Sequence, residues 1–350
     1  MLYVPHKHLY ISGASYVSAD EPDYKEVITD ANSRRRMGRL LKMAVWCGLK
    51  SLEGVPSERV AGIITSTGAG FMKDTISFGS SIFDREETLL NPSPFMQSTF
   101  NTASGYIALI RKIHAYNTTY VQRADGFAAS FVDAAMLLDD AGEGDVALVG
   151  AFDEVTPEVD VIRQRLGLYR VGDGFLPLGE GAAAFLLSAA MPTDCSESCR
   201  ATEMSAGPGG GDGPESDSGQ SGDEAGSESA SERGGDANSE CSTGPLHDSG
   251  GTSSRSLNGT KDGNAALRFC GLANLSDLPK CAGNPIAELF GINAGVNVIS
   301  CADYVESLGA FRSLLPVLLC KLISEQKIPD GYTAIMDDVN EDGVIVLLHK

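Results

Sequence analysis

The sequence has no run approaching the roughly 20 consecutive apolar residues that a membrane-spanning helix requires. It also lacks a positively charged start followed by a long apolar stretch; MLYVPHKHLYISG is neither, so no secretory leader is expected and the expected compartment is the cytoplasm. On that reading the Asn-x-Thr sites at Asn117 and Asn258 carry no meaning. Eight cysteines stand at 47, 195, 199, 241, 270, 281, 301 and 320, none in a Cys-x-x-Cys pair, so no zinc module and no metal site is expected. Positive charge is scarce. The formal net charge of −20 argues against nucleic acid or an anionic membrane as partner. Half of that charge is local, because residues 194–262 hold 14 Asp and Glu against 4 Lys and Arg.

The same stretch is short of aliphatic residues. From 191 to 264 the chain is Gly, Ser, Asp and Glu, which cannot bury enough apolar surface to offset the entropy of ordering. It reads as a disordered acidic insertion between an N-terminal part, 1–190, and a short C-terminal part, 265–350.

Outside the insertion, strand and helix patterns alternate. Residues 8–17 and 60–65 are strands, 33–48 a helix, 91–94 a turn and 100–115 a helix interrupted at Gly105. The loop Ser66–Gly70 is glycine-rich but lacks the lysine of a phosphate-binding loop. Later come a strand at 183–188 and a helix at 310–325 that Pro316 should kink. Strands at 332–336 and 343–348 close the chain around a turn at Asn340–Gly343. The pattern predicts α/β layers around a mainly parallel sheet.

The centre of the chain is 121–154. A strand, Thr118–Arg123, turns at Gly126 into an Ala-rich helix from Phe127 to about Asp139, and Val146–Gly150 is a wholly apolar strand. Asp125 stands at the turn, where unpaired N–H groups and the helix dipole would hold a nucleophile or an anion.

The order of these motifs resembles the β-ketoacyl synthases of the thiolase-like fold, and among them the chain-length-factor-like relatives. His8–Val17 is similar to the opening strand, and Asn91–Ala108, with Asn101 and Gly105, to the Asn-x-x-x-Gly helix. The spacing from Asp125 to Asp153 is the family's. Asp173–Leu187, DGFLPLGEGAAAFLL, with Asp173, Gly179, Glu180 and Gly181, is the most specific match. The resemblance implies a layered αβαβα architecture with a shortened C-terminal half.

It also implies where the chemistry should be. The family's cysteine nucleophile falls at Asp125. The second of the family's two catalytic histidines falls at Glu306, in YVESLGA, with Ser307 beside it, and none of the chain's five histidines stands in a matching place. The resemblance then implies no cofactor and a non-catalytic subunit paired with an active β-ketoacyl synthase, with an acyl carrier protein as a further partner. Two alternatives stay open: a degenerate acyltransferase using Asp125 or Glu306, and a scaffold acting through the acidic insertion.

Overall fold

The computed structural model describes residues 1–121, 125–142, 144–189 and 266–350, with Asp125 described in its backbone alone. The expected insertion, 191–264, lies outside the described residues.

The main strands are, in chain order, β1 Leu9–Val17, β2 Val60–Thr67, β3 Tyr116–Val121, β4 Val146–Asp153, β5 Gly181–Ser188, β6 Arg268–Asn274, β7 Val296–Ser300, β8 Tyr332–Met336 and β9 Val344–His349. Their order across the sheet is β7-β8-β9-β6-β1-β5-β4-β2-β3, and the short segment Leu2–Tyr3 pairs with β6. Within the first half the order is third, second, fourth, fifth, first, with β2 parallel to β3 and β4 and with β5 antiparallel to both β4 and β1. The second half repeats that scheme. There β7 and β8 run parallel, while β9 is antiparallel to β8 and β6. One strand is missing from the repeat: nothing among the described residues takes the place of the third. Two residue pairs, Leu9 with Phe269 and Tyr10 with Arg268, join the halves.

The sheet is therefore mixed rather than mainly parallel. Strand β4 is buried at all eight positions, and so is β5, yet their pairing is antiparallel. An all-apolar run reports that both faces are covered, not which way the neighbour runs.

Among the described residues ten helices dress the sheet: α1 Ala31–Arg36, α2 Arg39–Ser51, α3 Met72–Asp84, α4 Pro92–Ser98, α5 Thr102–Arg111, α6 Asp125–Asp140, α7 Pro157–Leu166, α8 Pro285–Leu289, α9 Val305–Leu308 and α10 Leu314–Ser324. Alternate residues along the strands sort the core into layers. Leu148, Ala184 and Leu186 face α2 and α5, whereas Val149, Phe185 and Leu187 face α6 and α10. In the second half Val346 and Leu348 turn to the same α6/α10 layer, and Ile345 and Leu347 turn outward to the five-residue α8. The result is αβαβα, thin on its last layer.

Several boundaries differ from expectation for local reasons. The helix expected over 33–48 is two helices, because Met37 and Gly38 are extended and the Gly38 N–H donates to Gln97 Oε1 at 2.7 Å. Asn91-Pro92 is not a turn but the start of α4: the Asn91 side chain accepts from the Ser93 N–H, and Pro92 takes a position whose N–H has no helical partner. Pro316 likewise sits in the first turn of α10, so it removes no hydrogen bond and makes no kink. Lys112, at φ 56°, ends α5 earlier than expected. The pattern missed α3, none of whose residues is buried.

Candidate functional site

Strand β3 leads to the N-terminus of α6, where the sequence places Asp125. Residues 122–124 and the Asp125 side chain lie outside the described residues, so this part of the site is known by its frame. That frame is rigid. Phe127, Phe131, Ala134, Ala135 and Leu138 bury one side of α6. The Phe131 ring lies 5.4 Å from Phe185 on β5 and 4.2 Å from Phe269 on β6. On its other side, the hydroxyls of Tyr116 and Tyr120 donate to Asp133 Oδ2 at 3.0 and 3.1 Å, fastening α6 to β3. Burial, then the nearby Asp133 charge, pushes Tyr120 up to about 12.

The structure brings together two of the sequence motifs. Leu178 and Ala310 form a parallel bridge, with the Ala310 N–H donating to Pro177 O at 2.7 Å and the Gly179 N–H to Ala310 O at 3.2 Å. At the crossing the backbones touch: a Cβ on Gly179 would stand 1.9 Å from Leu308 O. Glu180 pairs with Arg39 and accepts from the Val155 N–H, and Arg39 also holds Glu21. Arg39 is thus an ion-pair centre. Gly181 opens β5 beside the end of β1, where a Cβ would lie 2.9 Å from Val17 O.

Beside this crossing, Glu306 and Ser307 lie on α9, both exposed. Ser307 Oγ donates to Tyr304 O at 3.0 Å, and Glu306 makes no ion pair with a described residue.

The other motif residues stay apart. Asn101 caps α5 through its carbonyl, which accepts from the Gly105 N–H at 2.9 Å. Gly105 is exposed, and a Cβ there would meet only open space; Asp173 lies in an exposed turn between Arg170–Val171 and Gly174–Phe175.

A buried polar cluster, unforeseen from the sequence, adjoins the crossing. Asp153 ends β4, and its Oδ1 accepts from the N–H groups of Gly68 and Ala69 at 2.8 and 3.3 Å and from Thr67 Oγ1 at 3.1 Å. Ser313 Oγ donates to the other oxygen. The glycine-rich loop therefore aims two backbone donors at a carboxylate of its own chain, not at a phosphate. Next to it, Asn340 Oδ1 accepts from the Tyr169 hydroxyl at 2.7 Å, and Asn340 Nδ2 donates to Asp337 Oδ2 at 2.8 Å. Burial raises both Asp153 and Asp337 against these donors, Asp337 to about 6. The only cue in the sequence was an acid closing a wholly apolar strand. Its partners come from distant segments, which pattern reading does not join.

No described cysteine is an activated thiol. Burial pushes Cys47 and Cys301 well up and Cys320 to about 12; burial also raises Cys270, and the hydrogen bond to Glu288 raises Cys281. Among the described residues no group of three or more His, Cys, Asp and Glu is placed to hold a metal ion.

The family model described as beta-ketoacyl synthase, N-terminal domain, matches residues 14–206, more than half of the chain. The chain belongs to the β-ketoacyl synthase family. Among solved structures it is similar to the ishigamide ketosynthase/chain length factor, at 13% identity over 98% of this chain and 99% of that one, with a TM-score of 0.58. It is also similar to AntDE:AntF, a type II polyketide synthase acyl-carrier protein in complex with its ketosynthase bound to the hexaketide, at 14% identity with the same coverage and TM-score. A β-ketoacyl synthase from Burkholderia phymatum STM815 gives 10% identity and a TM-score of 0.57 over 98% and 99% of the two chains. These likenesses establish the thiolase-like fold. No curated protein matches the sequence.

In this ketosynthase-like chain the buried acids set a pH dependence. Asp337 titrates near 6 when folded and at 3.8 when free, so the folded state holds the proton more tightly. Its stabilising contribution is full below about pH 4 and is lost as pH rises to about 6, at most about 3 kcal/mol. Urea midpoints measured from pH 4 to 7 should fall across that window, and Asp337→Asn should flatten the fall. Asp153, also raised, acts in the same direction in both proteins.

Proposed function

We propose that this chain is a non-catalytic, chain-length-factor-like subunit that pairs with an active β-ketoacyl synthase in cytoplasmic fatty-acid or polyene-type polyketide assembly, on substrates carried by an acyl carrier protein. On this reading 1–190 and 265–350 are its two halves, with 191–264 inserted between them. The observation that carries the reading is the outer edge of β3. This strand pairs with β2 on one side and with no described strand on the other. Tyr116 and Val121 are exposed on it, and the flanking α5 and α6 expose Leu109, Ile110 and Met136. An open edge with an apolar surround is a surface for another chain.

Two further points support the reading. The positions that the family resemblance gives to its cysteine and histidine hold Asp125 and Glu306, and a carboxylate is a poor acceptor of an acyl group from a thioester. The ishigamide assembly is a ketosynthase/chain length factor, and in AntDE:AntF an acyl-carrier protein is in complex with its ketosynthase.

The test is co-expression with cysteine-containing ketosynthases, followed by a condensation assay of the complex and of each chain alone. A heterodimer that condenses, from a chain inert by itself, is the expected result. Val121→Asp should break the pair and leave the circular dichroism unchanged. Condensation by this chain alone, or a homodimer with every ketosynthase offered, would overturn the proposal.

A further inference from the structure

A cavity of about 200 Å³ opens at the seam between the halves, over β6, β8 and β9. Phe290, Ile292 and Leu347 give it an apolar floor, while Lys7, His8 and Arg268 stand at its wall, and no described Asp or Glu lines it. The sheet register explains the clustering of cations. Tyr332, His349, Arg268 and Tyr10 are paired in succession across β8, β9, β6 and β1. Arg268 Nη1 lies 3.5 Å from His8 Nδ1, and the Tyr332 ring packs edge-on against His349 at 4.5 Å. Lys7 is held in place by donating to Leu138 O at 3.2 Å and to Asp139 O.

Arg268 is half-buried and has no carboxylate partner among the described residues. Among the described residues its polar neighbours are His8, Cys270, Tyr10 and Tyr332 rather than an acid, so its planar fork is not engaged by a carboxylate. An incoming carboxylate would take that fork through two parallel N–H···O bonds, and the floor would accept an apolar tail.

We propose that this cavity binds a small amphipathic carboxylate, its head on Arg268 and its tail over Phe290 and Leu347. The proposal stands apart from subunit pairing, which concerns the β3 edge. Cys270 also lines the cavity and serves as a local reporter. Octanoate titrated into the intact chain by calorimetry should bind saturably and slow alkylation of Cys270, followed by peptide mass spectrometry. Neutral octanamide should bind at least about tenfold more weakly. Arg268→Gln should lose both signals by a similar factor, and Arg268→Lys should recover part of them. His8→Ala, an exposed change that spares the core, should weaken binding less. Octanoate binding without protection of Cys270, equal binding of octanamide, equal displacement by inorganic phosphate, or an unchanged Arg268→Gln would each overturn it.

Discussion

Replacing Gly179 by Ala should destabilise the chain by about 3–5 kcal/mol, among the largest effects any single methyl group can have. The new Cβ would stand 1.9 Å from Leu308 O and 2.9 Å from the Gly309 Cα. Both neighbours are backbone, so no side chain can swing aside. Gly309 answers from the other strand of the crossing. Its φ is +78°, which L-residues seldom adopt, and a Cβ there would lie 2.3 Å from the Gly179 nitrogen. Gly105→Ala is the control. It lies within α5 with open space around it, so the same chemical change should stabilise by about 0.5–1 kcal/mol. Urea unfolding of the two variants checks both signs; equal midpoints would show that the crossing has room for a methyl group after all.

Phe131→Ala should cost about 3–5 kcal/mol. Phe131 is fully buried and touches Phe127 on its own helix, Phe185 on β5 and Phe269 on β6. The ring therefore fills space between strands of both halves, and the cavity left by its removal would be walled by sheet on two sides, which cannot close in. Denaturant unfolding gives the cost, and near-ultraviolet dichroism reports the loss of fixed aromatic packing. A cost under about 1 kcal/mol would mean that the middle layer repacks freely.

Much of this fold was legible because its strands are bounded by glycine and by polar turns. Val146 onward, Tyr332–Met336 and the Ala-rich helix all fall close to where periodicity places them. The direction of β5 was not legible, since GAAAFLL has the same covered-on-both-faces pattern in either orientation. Nor was α3, whose residues are half-buried or exposed, so that its apolar positions enter no core. The candidate site divides in the same way. Asp125 and Glu306 are expectations from linear spacing, which a family resemblance preserves. The cluster of Asp153, Asn340, Tyr169 and Ser313 exists only after β4, β8 and α10 converge, so no window of sequence contains it.

The backbone crossing at Gly179 and Gly309 also bears on what this protein is free to change. The geometrical demand there falls on atoms that every residue shares, and on the lack of a side chain at two points. Glu306 and Ser307, a few positions upstream and facing water, carry none of it. Architecture and reactivity are therefore separable variables in this corner. A lineage can exchange the side chain at 306 without disturbing the join between its halves, whereas a single methyl group at 179 would disturb it at once. Intact glycines are thus a record of how the chain is assembled, and they are silent on whether it turns over a substrate.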